Sequence, residues 1–120
     1  LVVFSDCKQL TYIKDRQHMK TKNLKTIDII ALEYFDKING NSYFGGELIL
    51  NYGLKDHLTI ILKYQYGYGN QYEFTALKEM QKIVPSAKRY SSITRFCNDN
   101  NIILRSTINS AKKTDLKRFK

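Results

Sequence analysis

The chain has 120 residues, 42% of them hydrophobic, and a formal net charge of +9. That length suits one domain with its own core, and that composition excludes a disordered chain. Apolar runs such as Leu58–Leu62 and Ile102–Leu104 are far too short to cross a bilayer. Leu1–Phe4 lacks a basic flank and a sufficient apolar stretch for a signal peptide. A soluble, cytoplasmic protein with no membrane partner is therefore expected.

The charge is unevenly spread. Residues 1–77 hold nine Lys/Arg against eight Asp/Glu, whereas residues 78–120 hold eleven against three. A field of one sign favours polyanions, either nucleic acid or an acidic protein surface; a plain solubilising surface is the alternative. Cys7 and Cys97 lie far apart, and no Cys or His falls at metal-ligand spacing. The expectation is two reduced thiols, with one disulfide as the alternative, no metal and no cofactor. Nine tyrosines and no tryptophan suit half-buried sheet faces and wet binding surfaces alike.

Residues 1–18 show weak periodicity, and Met19-Lys20-Thr21-Lys22 reads like a bacterial start. They are expected to be a leader or extension outside a core built from residues 19–120. Lys25 to about Phe35 then forms a strand apolar on both faces, as a central strand would be: Ile27, Ile29 and Ala31 on one, Ile30, Leu32 and Tyr34 on the other. Asn39-Gly40-Asn41 marks a hairpin. The second strand, Ser42 to Asn51, sets Phe44, Leu48 and Leu50 against Tyr43, Glu47 and Ile49. Its Gly45-Gly46 pair signals a bulge or a close backbone approach. After a turn at Gly53 comes the third strand, His57 to Tyr66. Leu58, Ile60, Leu62, Tyr64 and Tyr66 share one face, with Thr59, Lys63 and Gln65 opposite.

Gly67-Tyr68-Gly69 ends the sheet run. Asn70 and Glu73 read as a capping box for a helix whose apolar stripe is Phe74, Leu77, Met80 and Val84; Pro85 stops it. Ser86 caps a second helix, roughly Ala87 to Asn98, with Tyr90, Ile93 and Cys97 inward. Ile102, Leu104, Ser106 and Ile108 alternate with Ile103, Arg105, Thr107 and Asn109 in a fourth strand at a sheet edge. A short basic helix closes the chain, with Leu116 and Phe119 inward and Lys112, Lys113, Lys117 and Arg118 outward. The order β-β-β-α-α-β-α predicts an α+β fold, an antiparallel meander with a later fourth strand covered by two or three helices.

Three surfaces are candidates for binding. Tyr66 and Tyr68 beside Gly67 and Gly69 offer stacking faces for bases, although packing of Tyr64 and Tyr66 within the sheet is the simpler reading. The lone Gly67-x-Gly69 lacks a third glycine and a βαβ unit, so a dinucleotide site is excluded. The two helices about Pro85 resemble a helix-turn-helix presenting Lys88, Arg89, Ser91, Ser92 and Arg95 to DNA; the alternative is a helical hairpin with a solvated basic face. Lys112, Lys113, Lys117 and Arg118, with Arg105, form a phosphate-tracking patch or else a charged tail. Asp28, Glu33, Asp36 and Glu47 gather across the first hairpin as a divalent-ion site or, more simply, as solvated strand carboxylates. His18 and His57 have no partner that completes a triad, so no enzyme is expected and no catalytic residue is assigned.

The segments Ala31-Leu32-Glu33-Tyr34-Phe35-Asp36-Lys37, Asn39-Gly40-Asn41-Ser42-Tyr43-Phe44 and Gln65-Tyr66-Gly67-Tyr68-Gly69, with Tyr72, resemble a class of small uncharacterised proteins of phages and mobile elements. The resemblance covers residues 25–80 and transfers no activity. It implies an accessory phage protein in the host cytoplasm. The expected function is nucleic-acid binding through the basic last third. The alternative is a protein-binding inhibitor of a host defence or regulatory complex, with a host protein or ribonucleoprotein as partner. A virion or assembly component is a third reading.

Overall fold

The computed structural model describes residues 19–120. The proposed leader, with Cys7 and His18, lies outside the described residues. The elements are a 3-10 turn at Thr21–Asn23, β1 (Thr26–Asp36), β2 (Asn41–Leu50), β3 (Leu58–Tyr66), α1 (Gln71–Gln81), a 3-10 turn at Pro85–Arg89, α2 (Ile93–Asp99), β4 (Ile103–Ser110) and a closing 3-10 segment, Lys113–Phe119, here termed the strap. The fold is α+β, in the chain order expected.

The strands form one sheet in the order β3-β2-β1-β4, so β1 is central. β1–β2 and β2–β3 are antiparallel, and β4 runs parallel to β1. The β1–β2 hairpin is closed by Asp36, whose carboxylate accepts from the N–H groups of Ile38 (3.0 Å) and Asn39 (3.3 Å) and from the Asn39 amide (2.8 Å). Gly40 takes φ of 70°, where a side chain is strained. This turn fixes a register that pairs Ile27, Ile29 and Ala31 with Leu50, Leu48 and Gly46. These residues are buried beneath α1, the Pro85–Arg89 turn and α2, together with Phe44, Leu62, Met80, Val84 and Phe96. Asn51 staples the segment before β1 to the sheet end: its side-chain oxygen accepts from Lys25 N–H (2.7 Å) and its amide donates to Asn23 O (2.9 Å).

The Gly45-Gly46 pair marks a bulge, as expected, and the extra residue lies on β3: Gly46 pairs with Leu62 but Phe44 with Gln65. Periodicity is broken there. Leu58, Ile60 and Leu62 face the helices, but Tyr64 and Tyr66 pass to the opposite face. Gln65 takes their place under α1, where its side chain accepts from Thr75 Oγ1 (3.4 Å). The expected single face for all five residues is thereby corrected.

Three helix expectations are corrected too. Asn70 precedes α1, but its side chain makes no capping bond. Glu73 instead accepts from Ser106 Oγ (2.7 Å), and Tyr72 OH donates to the same Ser106 oxygen (2.8 Å), tying α1 to β4. The buried stripe of α1 is Tyr72, Ala76, Leu77 and Met80, leaving Phe74 exposed. The second helix begins at Ile93, not Ala87. Pro85–Arg89 is a separate 3-10 turn, Ser86 is hydrogen-bonded to Thr21, and Ser92 is the cap, its Oγ accepting from Arg95 N–H (3.3 Å). A two-turn helix behind a 3-10 turn is not the helix-turn-helix pair that the spacing about Pro85 suggested.

Candidate nucleic-acid interface

The face of the sheet away from the helices carries Tyr34 on β1, Tyr43 on β2 and Tyr64 and Tyr66 on β3. Hairpin register sets Tyr34 opposite Tyr43, and Tyr43 opposite Tyr66. The bulge adds Tyr64 to this group. Tyr43 stacks on Tyr64 (5.5 Å between centroids, 13° between planes) and meets Tyr66 edge-on (5.9 Å). Tyr66 is 59% exposed and Tyr68, in the following turn, 69%.

The strap crosses this same face over β1, β2 and β3. Leu116 and Phe119 are buried against the sheet, as their spacing predicts, so Lys112, Lys113, Lys117, Arg118 and Lys120 stay exposed. Gly45 makes the docking possible, because Phe119 fills the space a Cβ would take. Lys120 Nζ lies 5.2 Å from the Tyr64 centroid, leaving Tyr64 in contact with both a tyrosine and a cation. At the other end, the charge of Lys113 helps hold the Asp36 carboxyl below its ordinary range, although the main causes are the Asn39 hydrogen bonds.

The strap divides the open face into unlike halves. Beyond it lie the tyrosines. Before it lie Ile30 and Ile61 with Glu47 between them, and then Ile103. These three isoleucines are exposed.

The predicted cations therefore separate. Lys112, Lys113, Lys117 and Arg118 sit on the strap, next to the tyrosines. Lys88, Arg89 and Arg95 are exposed on the helical layer at the back of the sheet, where Arg95 lies 3.9 Å from Asp99 and Ser92 is occupied as a cap. Arg105 is on the strap's face but toward the far end of the sheet, about 17 Å along β4 from its last residue, Ser110. Its guanidinium makes a two-bond pair with Asp28 (2.6 and 3.0 Å) that holds it firmly protonated. Tyr66 is beside the strap, and Tyr68 stands at the end of β3. Sequence reasoning missed Tyr34, Tyr43 and Lys120 for this surface; the hairpin register was the signal for the first two.

The acidic residues of the first hairpin do not converge. Asp28 and Glu47 are on the open face and Glu33 on the other, and among the described residues no group of three His, Cys, Asp or Glu could hold a metal ion. Cys97 is buried, and burial pushes its thiol pKa up to about 11. No helix among the described residues is long and apolar enough to cross a membrane. Comparison of the chain with protein-family models, curated proteins and solved structures finds no match.

Proposed function

We propose that this domain binds single-stranded nucleic acid across the tyrosine half of its open sheet face, as a non-enzymatic accessory protein of the phage type that its sequence pattern resembles. The observation that carries the reading is the strap. It brings five cations against one carboxylate, residues 112–120, to the edge of a tyrosine cluster. Aromatic rings stack bases without regard to sequence, and flanking cations take the phosphates. Duplex DNA does not fit this scheme, since its bases are already stacked. The test is fluorescence anisotropy with labelled oligo-dT, oligo-U and a duplex of equal length. Single strands should bind at low salt, weaken steeply as salt rises, and lose affinity in Tyr66→Ala. Absence of single-strand binding at 50 mM salt, roughly the low end of the range where such contacts are strong, would overturn the reading.

A second reading rests on the other half of the face. Exposed Ile30, Ile61 and Ile103 suit a protein partner, as an inhibitor of a host defence or regulatory complex would need. Affinity capture from host lysate with and without nuclease distinguishes the two: a stoichiometric protein that survives nuclease supports this reading against the first.

A further inference from the structure

The two edges of the sheet, β3 and β4, are unlike. The β3 edge carries the usual guards against a further strand: the exposed Lys63, the bulge, and Gln65 Nε2 donating to Lys63 O (2.9 Å). β4 has no lysine, no proline and no break in its register with β1. Ile103 N–H donates to Lys25 O (3.1 Å) and Ala111 N–H to Glu33 O (2.7 Å). Alternate residues from Ile103 to Ala111 therefore bond inward to β1, and Leu104, Ser106, Ile108 and Ser110 turn their backbone N–H and C=O groups outward. Among the described residues nothing bonds to those outward groups.

Charge decides what can cover this edge. Arg105 is the only charged residue from 102 to 111, and its pair with Asp28 (2.6 and 3.0 Å) neutralises it within the domain. The chain as a whole carries +9, so a second copy is repelled over much of the surface and least along β4. The groove at the β3 edge, by contrast, brings Lys63 and Lys82 together. A nucleic acid finds no unpaired cation on β4. The strand is also complementary to itself. Antiparallel pairing about a twofold axis at Thr107 sets Ser106 opposite Ile108 of the second copy and Leu104 opposite Ser110 of the second copy, so every outward group of the edge is paired. On the open face Thr107 meets its own twin, a favourable cross-strand pair, and Arg105 meets Asn109 of the second copy. An axis at Arg105 would set two guanidinium groups face to face.

We infer that β4 is a self-association edge, through which two copies of this chain join by antiparallel β4–β4 pairing into one continuous sheet. The twofold axis is normal to that sheet, so both open faces, each with its tyrosines, lie on the same side. Pairing through β4 uses none of the strap's cations and is independent of nucleic-acid binding. Sedimentation equilibrium of the full chain, free of nucleic acid, should show a monomer–dimer equilibrium. Thr107→Lys, at an exposed position, sets like charges against each other at the axis and should weaken the dimer roughly tenfold or more. Ile61→Lys, on the β3 edge, should leave it unchanged. Thr107→Cys in a Cys7→Ser background, with the buried Cys97 kept, should give a disulfide-linked dimer under mild oxidation, because opposed residues of such a pair approach to about 4.5 Å between Cα atoms. Thr59→Cys should not. A chain that stays monomeric up to about 1 mM would overturn the inference, as would a dimer that Thr107→Lys does not weaken and Thr107→Cys does not link. A monomer whose Leu104, Ser106 and Ile108 amides resist hydrogen exchange would mean that its own chain covers the edge, and would overturn it as well.

Discussion

Phe119 fills the space above Gly45 that any larger residue would need, and a Cβ at position 45 would meet Phe119 Cδ2 at 2.7 Å. The strap is thus latched to the sheet by an aromatic ring seated on a glycine. At Gly46 the obstacle is different: the backbone of Ile30 and Ala31 on the paired strand. A side chain can shift, whereas a paired strand cannot without losing its ladder.

Gly45→Ala should therefore cost about 1–3 kcal/mol, the usual range for overpacking, and Gly46→Ala should cost more. Urea unfolding of the two variants measures this, and a milder effect at Gly46 would contradict the account. Phe119→Ala should destabilise by about 3–5 kcal/mol and also weaken oligonucleotide binding.

The separation of the cations predicts separable effects. Lys117→Ala with Lys120→Ala should reduce the slope of log affinity against log salt by roughly 1.4, about 0.7 for each lost phosphate contact on a single strand. Lys88→Ala, Arg89→Ala and Arg95→Ala combined should leave the slope unchanged, because those residues lie behind the sheet. Anisotropy titrations from low to moderate salt decide the matter.

Asp36 gives a pH dependence whose sign is fixed. Hydrogen bonds from the Asn39 side chain and backbone lower its pKa in the folded state. The stability it contributes is present above its unfolded pKa, about 3.9, and is lost as pH falls through the folded value. Asp36→Asn should thus lower the urea midpoint at pH 7, and the difference from wild type should vanish near pH 2.

Burial raises the pKa of Cys97 to about 11. Its thiol should therefore resist labelling at pH 8 in the folded protein and react quickly in urea. A Cys7→Ser background isolates the signal. The folded state holds this proton more tightly, so its contribution to stability is intact below the unfolded thiol pKa and lost as pH rises toward the folded value.

Much of the fold was legible because local signals decide it. Asn39-Gly40 set the hairpin, and period two in Leu58, Ile60 and Leu62 found the core face of β3. The spacing of Leu116 and Phe119 oriented the strap. The misreadings have non-local causes. The β3 bulge is opposite Gly45, so the sequence of β3 alone continues its alternation through Tyr64 and Tyr66. Glu73 leaves its capping role because Ser106, distant in sequence, offers a hydroxyl. Arg105 read as an available cation because Asp28 becomes its neighbour only through the parallel β1–β4 pairing.

The parallel pairing of β4 with β1 also favours an order of assembly. The β1–β2–β3 meander can form from neighbouring segments, but β4 reaches β1 only after the chain has passed over the sheet through α1 and α2. Long-range pairings of this kind are slow to form. The strap follows β4, so the seating of Phe119 on Gly45 and the approach of Lys120 to Tyr64 are expected to accompany that crossover. The strap's cations are consequently expected to join the tyrosines of the meander last. The strap should also be the first to open when β4 detaches, exposing the ring of Phe119 and the notch at Gly45 together.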